Sequence, residues 1–104
     1  MNPKITGLLG MCRRAGHLTV GFDAVKDLVR QQKATLVLTA EDLSEKTKKE
    51  LRFQIQDQVP YFPLPLRKDV LSAAIGMQKP VGVIATDDRG FAAALLKLKE
   101  DDAL

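Results

Sequence analysis

The chain has 104 residues, of which 45% are hydrophobic and 28% charged, with a formal net charge of +3. That length supports one core rather than two, and the composition is that of a globular domain, not of a disordered or fibrous chain. A single cysteine, Cys12, excludes an internal disulfide and any cysteine-clustered zinc site.

The mild basicity, with a pI near 9.2, suits nucleic acid without demanding it. His17 is the only histidine. Cysteine–histidine catalysis would need these two singletons to meet, and Cys12 falls on an apolar helix stripe, so no such dyad is expected. No apolar run approaches the roughly 20 residues a membrane span needs. The helically spaced apolar residues after Lys4 are followed by no small-residue cleavage site, which argues against a signal peptide. A cytoplasmic protein with no membrane contact and no cofactor is expected.

Asn2 is suited to cap a first helix with Pro3 at its first position. Ile5, Leu8, Leu9 and Cys12 form its buried stripe, with Lys4, Arg13 and Arg14 outside. Gly16 ends it, and His17 to Val20 reads as a short strand. The next helix opens at Gly21 and points Phe22, Val25, Leu28, Val29 and Gln32 inward. Ala34 to Ala40 is a nearly continuous apolar run, the pattern of a strand covered on both faces.

Ser44 is the expected cap of a third helix over Glu45 to Asp57, with Lys46, Lys48, Lys49 and Arg52 outward. Leu51, Phe53 and Ile55 alternate as in a strand, yet Leu51 and Ile55 also fit helical spacing. Pro60, Pro63 and Pro65 confine any strand near Tyr61 to a short or edge position, because proline donates nothing to a ladder. Lys68 to Ile75 reads as a helix stopped by Gly76, and Met77 to Pro80 as a loop. A second buried strand, Val81 to Thr86, leads into a last helix over Asp88 to Lys99 with Phe91, Leu95 and Leu98 inward. Glu100 to Leu104 is expected to fray. Helices and strands alternate from the start, which predicts a three-layer α/β/α sandwich around a small mixed sheet of about four strands.

Two constellations bear on function. One is acidic: the run from Thr35 ends in Glu41-Asp42 and the run from Val81 in Asp87-Asp88. Parallel neighbouring strands would gather these four carboxylates at one sheet edge, where they would suit Mg²⁺ and a phosphoryl-transfer module. The competing expectation is that these acids cap or precede the following helices.

The other constellation is polar and basic. A glycine before a helix leaves the first-turn N–H groups open, and with the helix dipole they favour an anion. Lys26, Arg30 and Lys33 follow at spacings of four and three, which predicts one basic face. Gln78, Lys79 and Pro80 join this group, and Arg13, Arg14, Lys46 and Lys48 could extend it. With no Trp, one Tyr and four Phe that mostly read as core, base stacking is a weak expectation. Shape and backbone recognition of folded RNA is the better one.

In this order the chain resembles the ribosomal protein L-seven-Ae superfamily, the kink-turn RNA binders, and within it the small bacterial YlxQ-like branch. The likeness rests on Gly7-Leu8-Leu9-Gly10, Arg13-Arg14-Ala15-Gly16, Gly21, Lys33 to Leu38 and Ala40-Glu41-Asp42. Val59-Pro60-Tyr61, Leu71 to Gly76 and the strand from Val81 continue it. The resemblance implies a single RNA-binding domain over residues 1–104 that does no catalysis. Its partners would be structured RNA, ribosomal or other non-coding, with association to the ribosome or another ribonucleoprotein. It places the contacts at the start of the second helix (Gly21, Phe22, Asp23, Lys26, Asp27 and Arg30) and at Gln78 to Pro80. Kink-turn readers of the family carry an Asn-Glu pair two and three residues after the glycine, and a Lys three beyond the Glu. This chain has Asp23, Ala24 and Asp27 there, with Lys26 one place early, so RNA binding of altered or weaker specificity is expected. A protein–protein scaffold on the same fold is the alternative.

Overall fold

The computed structural model describes residues 3–102, and the side chains of residues 4–100. The elements run α1 (Pro3–Arg14), β1 (Leu18–Val20), α2 (Phe22–Arg30), β2 (Leu36–Thr39), α3 (Glu45–Ile55), β3 (Tyr61–Pro63), α4 (Lys68–Ala74), β4 (Val83–Thr86) and α5 (Arg89–Asp102). The sheet has the order β1-β4-β2-β3. β4 runs antiparallel to both neighbours, and only β2 and β3 are parallel.

Every residue of β2 and β4 is buried, because helices cover both faces of the sheet. Side chains alternate across a strand, so each strand feeds two cores. Leu36, Leu38 and Ile84 face a cluster built with Ile5 and Leu9 of α1, Leu71 of α4 and Leu95 of α5. Val37, Val83 and Ala85 face the other, with Val25 and Val29 of α2 and Leu51 and Ile55 of α3. The sandwich expected from the sequence is therefore present, with α1, α4 and α5 in one layer and α2 and α3 in the other. β3 is short and lies at the edge, as its prolines require.

The helix ends follow from local chemistry. At the end of α1 the Gly16 N–H bonds the Arg13 carbonyl at 3.0 Å and the His17 N–H bonds that of Cys12 at 3.0 Å. With Gly16 at φ 80°, this is a Schellman stop. The same pair of bonds closes α2 through Gln32 and Lys33, and there a non-glycine residue, Gln32, takes φ 60°. Gln32 is therefore exposed past the helix end and does not point inward as its spacing suggested. Ser44 caps α3 through a bond from the Thr47 N–H, and the helix stops at Ile55 rather than Asp57 because Gln56 and Asp57 turn left-handed. α5 continues regularly to Asp102, so the expected fraying from Glu100 is not seen as far as Asp102. The predicted cap at Asn2, and residues 103–104, lie outside the described residues.

The antiparallel pairing of β2 with β4 overturns the acidic cluster. Glu41-Asp42 follows the C-terminal end of β2, and Asp87-Asp88 follows that of β4, so the two pairs stand at opposite ends of the sheet. Two of these acids close helix starts instead. Asp88 Oδ2 accepts from the Phe91 N–H at 2.8 Å, and Asp42 Oδ1 accepts from the Lys68 N–H at 2.8 Å at the start of α4. Among the described residues no three His, Cys, Asp or Glu lie close enough to share a metal ion.

Asp42→Ala and Asp88→Ala should each lower unfolding stability by about 1 kcal/mol, the usual loss of a cap. Urea melts with and without Mg²⁺ check this, since a cap loses the same amount in both while a metal ligand would not. On the core side, Leu38→Ala should cost about 2–5 kcal/mol.

Candidate nucleic-acid interface

Gly21 is held where β1 passes into α2. Its N–H donates to the Val83 carbonyl at 2.8 Å, and its own carbonyl accepts from the Val25 N–H at 3.0 Å to begin the helix. Its φ of 102° and ψ of 150° lie in a region open essentially to glycine alone. No side chain caps α2. The first-turn amides at the positive end of the helix dipole are thus left to water or to a ligand.

The bond to Val83 also fixes what lies beside this helix start. Val83 opens β4, so the segment ahead of it, residues 78–82, sits at the same end of the sheet as Gly21. The Ala40 N–H donates to the Gly82 carbonyl at 2.9 Å, and the Val81 N–H to Ser72 Oγ at 2.8 Å, which pins the segment from two further sides. At Gly82 a Cβ would stand 2.7 Å from Leu43 Cδ1, so only glycine lets the strand pass Leu43 undisturbed. Gln78, Lys79 and Pro80 all face solvent. The helix start and the loop named from the sequence therefore share one sheet end.

The remaining basic residues divide. Lys26 is half-buried on α2 and reaches the exposed Asp23 at 3.9 Å, an ion pair worth little in solvent. Phe22 is partly buried, and Asp27 is exposed on its helix. Arg30 shares a face with Lys26 but closes α2, about 13 Å along the helix from Gly21. Lys33 lies beyond the helix stop, just ahead of Thr35, whose N–H bonds the carbonyl of Thr86 at the far end of β4. The three-residue basic face is therefore reduced to Lys26 and Arg30, and Lys33 belongs to the opposite end of the sheet.

Arg13 and Arg14 end α1, in the layer opposite α2, and an Arg13 Nη1 donates to the Ile75 carbonyl at the end of α4. They do not gather with Gly21. Lys46 and Lys48 open α3 beside α2. Lys46 is exposed, whereas Lys48 Nζ is committed to Glu45 Oε1 at 3.4 Å and the Glu41 carbonyl at 3.5 Å. Sequence reasoning passed over Lys49 and Phe53, which with Phe22, Lys26, Glu50 and Gln54 line a groove between α2 and α3. Their four-residue separation, matching that of Phe22 and Lys26, was the available signal.

No catalytic dyad forms from the two singletons. The Cys12 thiol is buried and donates to the His17 carbonyl and to Thr86 Oγ1, while the His17 ring turns outward to Asp87 at 2.8 Å. Burial pushes the Cys12 thiol above its ordinary pKa, with Asp88 and Asp87 adding to the rise against the Thr86 hydrogen bond. A neutral, enclosed thiol is a poor nucleophile.

The chain is thus a mixed sheet between a three-helix and a two-helix layer, with an open helix start beside an exposed loop. Residues 3–96 match the model of the ribosomal protein L7Ae/L30e/S12e/Gadd45 family, and the chain belongs to that family. It is 37% identical over 95 residues to the RNA-binding protein YlxQ of Bacillus subtilis (strain 168), covering 88% of this chain and 90% of that one. The RNA-binding protein YlxQ of Enterococcus faecium is 33% identical over 99 residues, covering 93% and 92%. Among solved structures, a protein of unknown function from Bacillus halodurans superposes with a TM-score of 0.85 at 33% identity over 93% of this chain and 97% of that one. The Giardia lamblia 15.5kD RNA binding protein shares the fold, with a TM-score of 0.71 at 20% identity over 93% and 86%.

Gly21→Ala should destabilise the chain by about 1–3 kcal/mol through backbone strain alone, since a Cβ there meets nothing within 4 Å. Chemical denaturation measures it. Cys12 should resist a thiol reagent in the folded protein and react fully in denaturant; rapid native labelling would contradict its enclosure.

Proposed function

We propose that this chain is a non-catalytic RNA-binding protein that grips the backbone of a structured RNA where Gly21 and the loop of residues 78–80 meet. The observation that carries this reading is the Gly21–Val83 hydrogen bond, which seats an uncapped helix start next to an exposed basic loop. The names of the YlxQ relatives support it. In this reading residues 1–104 act as one RNA-binding domain, in the cytoplasm, on ribosomal RNA or another non-coding RNA held in a ribonucleoprotein.

The division of labour follows from the chemistry. The first-turn amides of α2 receive one phosphate. Lys26, once released from Asp23, follows the backbone along α2, and Arg30 meets it only on a longer RNA. Gln78 and Lys79 brace the opposite strand. Base reading of the kink-turn kind is not supplied, because Ala24 has no acceptor for a guanine edge and Asp27 repels phosphate. Recognition therefore rests on backbone shape, the mode that folded RNA usually imposes.

A gel-shift series with a kink-turn RNA, the same RNA with its sheared pairs replaced, and a plain duplex tests this. Saturable binding to the folded RNAs is expected, with little loss on replacing the sheared pairs. If about three phosphates are neutralised, log affinity should fall against log salt with a slope of roughly −2 to −3. Lys26→Gln with Lys79→Gln should weaken binding more than Arg13→Gln with Arg14→Gln. Binding to none of the RNAs would leave the protein–protein scaffold as the better account.

A further inference from the structure

The groove between α2 and α3 has two matching walls. α2 contributes Phe22 and, four residues on, Lys26; α3 contributes Lys49 and, four residues on, Phe53. Residues four apart on a helix stand one above the other. Each wall therefore carries one aromatic ring and one ammonium, around a groove of ≈ 450 Å³ that Glu50 and Gln54 complete. A site of that size is in the range that holds a small ligand, about 300–1,000 Å³.

Phe53 is 69% exposed, one of two large hydrophobic residues so exposed among the described residues. The fold does not need it there. Leu51 and Ile55 already anchor α3 in the core, and Phe53 lies off that buried stripe. A lone exposed apolar side chain needs no explanation. Here, however, the ring stands in a groove with Phe22 and two lysines, and Phe22 immediately follows Gly21.

We propose that this groove receives an unpaired nucleotide of the bound RNA, its base stacked on Phe53 and its phosphate held by Lys26 and Lys49. The proposal rests on the RNA-binding reading and extends that surface from Gly21 along α2. A nucleotide offers both chemistries that the walls present: a flat π-face for a ring and an anion for two ammonium groups. Lys26 is held only at 3.9 Å by an exposed carboxylate, so its ammonium can turn to a phosphate. Glu50 would repel a phosphate placed over it, so the phosphate belongs at the ammonium groups rather than over that carboxylate. Glu50 and Gln54 are left to meet amino and carbonyl groups on the base edge.

The chain contains no tryptophan, so Phe53→Trp installs a single fluorescent reporter that still stacks. The probe is a hairpin RNA with or without a short run of unpaired adenosines at one end of its stem. The unpaired run should tighten binding to the native chain by about fivefold or more and should quench the indole emission of the Phe53→Trp variant. Phe53→Leu, which keeps apolar bulk without a ring, should lose that gain and still bind the bare hairpin as the native chain does. An equal gain in the Phe53→Leu variant, or indole emission indifferent to the unpaired run, would overturn the stacking site while leaving the hairpin interface intact. Binding of neither RNA by any variant would instead remove the RNA-binding reading, and this inference with it.

Discussion

The insertion of β4 between β1 and β2, antiparallel to both, is the constraint on which the rest of the structure depends. It makes β4 the strand through which both cores are built, with Ile84 on one face and Val83 and Ala85 on the other. It also sets which loops meet. Because β4 starts where β1 ends, the Gly21 N–H finds the Val83 carbonyl, and the segment before Val83 is delivered to the start of α2. Had β4 run parallel to β2, the carboxylates would have gathered at one edge and the glycine helix start would have faced a different loop.

The architecture was legible because its signals are local. The apolar runs that became β2 and β4 have little polar alternation, which forces a doubly covered sheet. Gly16 and Gly76 announce helix stops, and Ser44 a helix start. Strand direction was not legible, because the two Thr/Ala-acid patterns look the same whether their strands run together or opposed. The stop of α2 was missed for a related reason. Its left-handed residue is Gln32, not glycine, so the basic periodicity runs on to Lys33 in the sequence without a visible break.

Within the candidate site, the residues found from sequence were those marked by backbone chemistry, Gly21 and the loop ahead of β4. Their proximity was supplied by family resemblance and is explained by the β1–β4 register. The residues passed over, Lys49 and Phe53, needed knowledge of what α3 faces. Phe53 alternates with Leu51 and Ile55 along the chain, yet a helix turns it away from both and leaves it exposed. An aromatic that reads as core in one dimension is surface in three.

The central claim is that the helix start at Gly21 and the loop of residues 78–80 act as one RNA surface because β4 joins them. Amide chemical-shift mapping of the labelled protein against a structured RNA addresses it most directly. The account predicts shifts concentrated at residues 21–26 and 78–83, with His17, Thr35 and Asp87 at the opposite sheet end unmoved. Shifts centred on that opposite end, or on Arg13 and Arg14 in the other helix layer, would contradict it.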